Sequence, residues 1–148
     1  MRCSDASSCS RAGVTLVELC LVLTLISLTA AIAIGRVARY LDRAAARAAV
    51  AEAASVVLHA RNEAIAQRTP VSVRFDTLAA TLELRARGVV LSRAALGHAH
   101  GVSLSSTRDS LTYDLRGLGY GAANLTMIAR RGSAAESLVV SRLGRVRW

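Results

Sequence analysis

A near-unbroken apolar run opens the chain. Between residues 14 and 34 the only charge is Glu18, and the next charged residue is Arg36. About 20 apolar residues span a bilayer as an α-helix, so the pattern predicts a transmembrane helix. From Arg36 to about Gln67 the chain is rich in Ala, Arg and Glu, all good helix formers. Val37, Leu41, Ala44, Ala48, Ala51, Leu58 and Ile65 recur near helical spacing, and Val50, Ala54, Val57 and Ala64 widen the stripe. The same helix is therefore expected to continue as an amphipathic rod, with Arg36, Arg39, Arg43 and Arg47 on the opposite face. Gly35 allows a local bend between the halves. Thr69-Pro70 closes the helix, because proline disfavours helical geometry in the residue before it. A helix from Thr15 to Gln67 would be about 80 Å long at ~1.5 Å per residue.

Beyond Pro70 the period changes to two. Val71, Val73 and Phe75 alternate with Ser72 and Arg74, Leu82 and Leu84 with Glu83 and Arg85, and Leu111, Tyr113 and Leu115 with Thr112, Asp114 and Arg116. Such alternation marks half-buried strands. Further strands are expected at 88–91, 102–104, 125–129, 138–141 and 144–148, with turns at 117–121 and at Arg131-Gly132-Ser133. Residues 79–110 carry no recognisable motif beyond these runs. The fold class is α+β: a long N-terminal transmembrane helix packed on a C-terminal antiparallel β-sheet head. The expected segments are a leader at 1–13, a transmembrane helix at 14–35, its amphipathic continuation at 36–68 and a β-rich head at 69–148.

Glu18 is the costly residue in this pattern. An acid at the centre of a membrane helix costs roughly 2.5–3.5 kcal/mol on insertion scales, so it calls for a partner. Gly13 stands just before the run, behind a short polar leader with Arg2 and Arg11. Gly13-Val14-Thr15-Leu16-Val17-Glu18 resembles the class III signal of type IV pilins and type II secretion pseudopilins, a Gly followed by Phe-Thr-Leu-x-Glu. It matches at Gly13, Thr15, Leu16 and Glu18 and departs at Val14, where that family normally has Phe. The resemblance implies that a prepilin peptidase cuts after Gly13 and that the new amino terminus at Val14 is N-methylated. Glu18 would then pair with the terminal amine of a neighbouring subunit, offsetting its desolvation and setting the docking register. The plainer alternative is a signal anchor with an acid near the interface. Secretory cleavage is not expected, because no small-x-small site stands at a polar boundary after the run.

Composition narrows the partners. The net charge is +9, and every one of the 19 basic residues is Arg. Loss of Arg2, Arg11 and Asp5 with the leader would lower it by one unit. From Arg108 onward seven arginines face three acids, which favours nucleic acid, anionic lipid or an acidic protein as partner, against the plainer reading of a solvated basic surface. Cys3 and Cys9 lie in the leader and Cys20 in the apolar run, so no disulfide is expected in the head. Roughly a hundred soluble residues suffice for one modest core.

The tail sharpens the resemblance. Residues 60–65 (Ala-Arg-Asn-Glu-Ala-Ile), Thr69-Pro70-Val71, a Gly-rich turn, Val139-Val140-Ser141 and Gly144-Arg145-Val146-Arg147 look like the GspH/FimT branch of pseudopilins and minor pilins, over essentially the whole chain. Strand periodicity places Arg145 and Arg147 on one face, with Val146 and Trp148 anchoring the other. Two guanidinium groups about 7 Å apart can clasp neighbouring phosphates, joined by Arg142 or by Arg130 and Arg131. In FimT-type minor pilins a motif of this form is associated with DNA capture. The alternative is that the charges blunt an edge strand. Tyr40, Phe75, Tyr113, Tyr120 and Trp148 are too few for a base-stacking platform, so binding would be to backbone and salt-sensitive.

His98 and His100, between Gly97 and Gly101, lack a third ligand of suitable spacing, so a polar loop without metal is expected. No nucleophile elbow or phosphate loop is present, and neither enzyme activity nor a cofactor is expected. The leading expectation is a non-enzymatic minor pseudopilin of the GspH/FimT type. It would sit once across the bacterial inner membrane with a periplasmic head, and would assemble with other pilin or pseudopilin subunits. The filament would be a type II secretion pseudopilus or a related type IV filament. The alternative is a FimT-like minor pilin whose basic head binds DNA for uptake.

Overall fold

The computed structural model describes residues 14–120 and 124–148. Gly13 with the rest of the leader, and Gly121 of the expected turn, lie outside the described residues. The chain divides after Val37 into two units.

A single helix, α1 (Leu16–Gln67), begins in the first unit and ends in the second. Every residue of 14–37 is exposed, and the most apolar window of the helix has a mean hydropathy of 2.4. The hydroxyl side chains in the middle of this run are satisfied locally. Thr24, Ser27 and Thr29 donate to the carbonyls of Leu21, Leu23 and Leu25 at 2.8, 2.7 and 3.0 Å. Their hydroxyls therefore need no external partner, which keeps the surface compatible with hydrocarbon. The helix continues through Gly35 without a break. Glycine retains its N–H for the helical ladder, which proline would remove.

The second unit is one core between the rest of α1 and two antiparallel sheets. Strands β1 (Val71–Asp76), β2 (Thr81–Ala86), β3 (Val89–Ala94), β5 (Ser110–Tyr113) and β6 (Gly119–Tyr120) form the first, in order β3-β2-β1-β5-β6. Strands β4 (Ser103–Ser106), β7 (Leu125–Arg131), β8 (Ala134–Val140) and β9 (Val146–Arg147) form the second, in order β4-β7-β8-β9. Alternation decides which residues face inward: Val71, Val73, Leu82, Leu84 and Tyr113 from one sheet, and Leu125, Met127, Leu138 and Val140 from the other, join a common core. Each fully buried Leu, Val or Met contributes about 1.5–3 kcal/mol.

The buried face of α1 matches the expected stripe at Val50, Ala54, Val57 and Ala64 and departs from it elsewhere. Ala46, Ala49, Val50, Ala53, Ala54, Val57, Ala60 and Ala64 are buried. Leu41, Ala44, Ala48, Ala51, Leu58 and Ile65 are exposed. The reason is steric. Alanine ends at Cβ, so a row of alanines fills the space against the core with no long side chain to accommodate.

Turn chemistry fixes the strand registers. Asp76 Oδ1 accepts the N–H groups of Leu78 and Ala79 at 3.0 and 2.9 Å, closing the β1–β2 connection. Arg87 and Gly88 both have positive φ (51° and 82°), the two-residue hairpin geometry that matches strand twist. Gly88 therefore belongs to the turn, and the strand expected from it starts one residue later and runs to Ala94. Leu115 likewise lies past the end of β5. The His98–His100 segment between Gly97 and Gly101, expected as a polar loop, belongs to a short helix, α2 (Leu96–His100), whose first residue, Leu96, is fully buried in the core.

Candidate functional site

At the start of α1, Thr15 is the residue before the first helical turn, and its Oγ1 accepts the Glu18 N–H at 3.2 Å. This is the N-cap to N3 spacing of a capping box, and an acid there also faces the positive end of the helix dipole. Glu18 is exposed, and its carboxylate has no partner among the described residues. Val14, one residue before the cap, is exposed as well. The Thr-x-x-Glu spacing carries the signal for this cap, at the same residue whose place in a membrane-length run points to assembly.

At the other end, β9 adds to the edge of the second sheet through Val139↔Arg147 and Val140↔Val146. Val140 faces the core and Val139 faces out, so Arg147 projects outward beside Val139 while Val146 packs against the core. Arg145 and Arg147 line one open pocket of about 250 Å³ with Asn124, Val139, Ser141 and Leu143. Trp148 is not the second anchor that periodicity suggested: it is 67% exposed. The β8–β9 ladder ends at Arg147, so Trp148 lies past the last pair, in a groove with Arg47, Val50, Ala51 and Glu136.

The other three arginines do not join this pocket. Arg130 is exposed on β7, opposite Ala135 and Ser103. It stands four residues along the strand from Thr126, the partner of Val139, or roughly 13 Å away at ~3.3 Å per residue. Arg131 turns inward. Its Nε lies 3.3 Å from Asp42 Oδ1 and its guanidinium donates to the His100 carbonyl at 2.7 Å, tying β7 to α1 and α2. Arg142 is exposed, and its carbonyl accepts the Gly119 N–H at 3.2 Å. The structure thus brings together Arg145 and Arg147 alone.

What positions that pair is a turn built on Gly144 and Ser141. The Ser141 N–H donates to the Arg145 carbonyl at 2.8 Å, the Gly144 N–H to the Ser141 carbonyl at 2.9 Å, and the Arg145 N–H to Ser141 Oγ at 3.1 Å. Gly144 is buried with φ +74°, and a Cβ there would stand 3.0 Å from the Gly117 carbonyl oxygen. Arg61 of α1 braces the same junction, its Nε donating to that carbonyl at 3.0 Å. Arg61 sits inside the Ala-Arg-Asn-Glu-Ala-Ile string at residues 60–65. The structure gives it a bracing contact.

Tyr113, beneath this junction, is fully buried, and its hydroxyl has no partner among the described residues. Burial pushes its pKa up to about 12, against the pull of nearby Arg61 toward lower values. The unfolded phenol titrates near 10, so between pH ~10 and ~12 the folded head keeps a proton that the unfolded chain loses. Stability from this group is complete below pH ~10 and is lost as pH rises through that window. Tyr113→Phe should remove this alkaline loss and leave neutral-pH stability equal or higher, because an unsatisfied buried hydroxyl costs about 1–3 kcal/mol. Thermal melts of both forms from pH 8 to 12 check it.

His98 is exposed, whereas His100 Nε2 lies 2.7 Å from Glu52 Oε2 and joins α2 to α1. Among the described residues no three His, Cys, Asp or Glu side chains gather as a metal site requires.

No protein-family model and no curated protein sequence matches the chain. Solved structures do. The type IV minor pilin FimU of Pseudomonas aeruginosa superposes with a TM-score of 0.61 at 20% identity, over 73% of this chain and 90% of that one. The minor pseudopilin EpsH from the type II secretion system of Vibrio cholerae superposes with a TM-score of 0.53 at 15% identity, over 69% and 94%. The fold is the pilin-like α+β fold of these two structures, a long N-terminal apolar helix with antiparallel sheets packed on its C-terminal half.

Proposed function

We propose that the chain is a non-enzymatic minor pilin or pseudopilin of the GspH/FimT type, built into a type II secretion pseudopilus or related type IV filament by its N-terminal helix. The observation that carries this reading is the apolar half of α1. A helical run of mean hydropathy 2.4 with none of its surface covered needs a bilayer or other helices around it. Association of the runs of several subunits meets that need in a filament, and a bilayer meets it before assembly. Glu18 supplies what an apolar helix lacks, a directional contact. Its carboxylate stands four residues along the chain from Val14, whose amine is released if a prepilin peptidase cuts after Gly13. The same amine on a neighbouring subunit is the fitting partner.

The inner membrane and a periplasmic head follow from this assignment. Charge bias does not set that orientation, since Arg36, Arg39, Arg43 and Arg47 outnumber Arg2 and Arg11 across the run. The reading assigns it to the processing route of the leader. The direct test is the amino terminus of the chain recovered from cells, which should be Val14 with a methylated amine.

A second reading has its own observation: Arg145 and Arg147 both open onto one outward pocket at a sheet edge. In this reading the pair holds neighbouring phosphates of DNA. The full chain in detergent should then bind duplex DNA with an affinity that falls steeply with salt. Arg145→Ala/Arg147→Ala should flatten the log–log salt slope by about two, near 0.9 per lost phosphate contact. An unchanged slope would leave the pair as edge-strand charge.

A further inference from the structure

We propose that Arg39 and Arg43, with Tyr40 beside them, form a docking surface for the phosphate headgroups of anionic phospholipids. This rests on the membrane reading of the apolar run above. Arg39 and Arg43 stand four residues apart on α1, which puts both on one face of the helix, and both are exposed. Neither has an acidic partner among the described residues. Tyr40 is 72% exposed. Tyr40, Arg43, Ala44 and Arg47 line an open groove of about 400 Å³, and Arg47 is already held by Glu136 at 3.1 Å.

Position along the sequence selects lipid. Arg39 follows Ile34, the end of the apolar run, by five residues, or about 7.5 Å of helical rise. The polar layer on each side of a bilayer's hydrocarbon core is about 5–8 Å thick, so this distance brings Arg39 to headgroup depth. Side chains on a helix lean toward its N-terminus, here back toward the run, and long arginine stems extend that reach. A tyrosine at the same level suits the interfacial belt, where an apolar ring carries a polar tip.

A second copy of the chain is the poorer occupant, because its acids are engaged. Asp42 is bonded to Arg131, Glu52 to His100, Glu83 to Arg93 and Glu136 to Arg47. Among the described head residues, every other acid except Asp109 bonds within its own helix or turn. A neighbour's head would offer only the Asp109 carboxylate among its described side chains, and its Glu18 lies in the apolar run, whereas an anionic bilayer surface offers a phosphate at every lipid.

The test uses the full chain reconstituted in vesicles of mixed phosphatidylcholine and phosphatidylglycerol, carrying a spin label on one lipid or the other. The motion-restricted fraction of each lipid gives the preference. Wild type should favour phosphatidylglycerol about fivefold, the order set by one arginine at an anionic surface. Arg39→Gln/Arg43→Gln should bring the preference near one, while Arg39→Lys/Arg43→Lys and low salt should preserve it. Equal preference in wild type and the Gln variant, with both still resistant to alkaline extraction, would overturn the lipid site alone. Loss of self-association in the Gln variant with lipid preference unchanged would overturn it in favour of a protein partner. Alkaline extraction of wild type itself would overturn the membrane reading and this proposal with it.

Discussion

Gly144→Val should lower the melting temperature of the head by about 10 °C or more, as follows from strain and crowding together. The conformation is the first cause. Gly144 has φ +74°, where a β-branched residue costs about 1–3 kcal/mol. Crowding is the second. A Cβ there meets the Gly117 carbonyl oxygen at 3.0 Å, Arg61 Nε at 3.2 Å and Tyr113 Cε1 at 3.3 Å. The nearest of these is backbone and another is a fully buried ring, so neither yields easily, and overpacking adds about 1–3 kcal/mol. Each lost kcal/mol shifts the midpoint of a small domain by about 4–8 °C. Arg145→Ala and Arg147→Ala, at exposed positions, should stay within about 0.5 kcal/mol of wild type. Thermal denaturation of the three variants separates the two halves of the Gly-Arg-Val-Arg string. The glycine serves the fold and the arginines serve the surface.

Glu18→Ala should abolish incorporation into filaments while leaving membrane insertion intact. Insertion is expected to improve if it changes, because removing a carboxylate relieves roughly 2.5–3.5 kcal/mol at most, less near the interface. The capping contact complicates a simple alanine test. Thr15 Oγ1 accepts the Glu18 backbone N–H, a bond that alanine keeps, but alanine loses the acid that favours the first turn. Glu18→Gln resolves this. Glutamine retains the N3 side chain of a capping box and lacks the charge. If the carboxylate pairs with a neighbour's amine, Gln and Ala should fail alike in filament fractions. If Glu18 matters only as a helix-start residue, Gln should assemble normally.

The strands were legible because each carries its own alternation: Val71, Val73 and Phe75 predicted β1, and Leu82 and Leu84 predicted β2, with inward residues as observed. The extent of α1 was legible from composition and from Pro70. Which face of α1 packs was legible only in part, at Val50, Ala54, Val57 and Ala64. Large aliphatics such as Leu41, Leu58 and Ile65 dominate any hydrophobic pattern, yet the buried stripe is mostly alanine. That preference is set by the partner surface, which no local pattern contains. Residues 96–100 failed for a similar reason, since one buried leucine among glycines and histidines decides a short helix. In the candidate pocket, the pairing of Arg145 with Arg147 was readable from strand period. The removal of Arg131 to Asp42 and His100 was not, because those partners lie 89 and 31 residues away in sequence.

The most direct test of the filament-subunit reading is the amino terminus of the chain isolated from its native membrane, read by mass spectrometry of the intact protein and of its N-terminal peptide. The account predicts a chain that begins at Val14 and carries one methyl group on its terminal amine. A chain that still holds residues 1–13, or one cut after the apolar run, would contradict it.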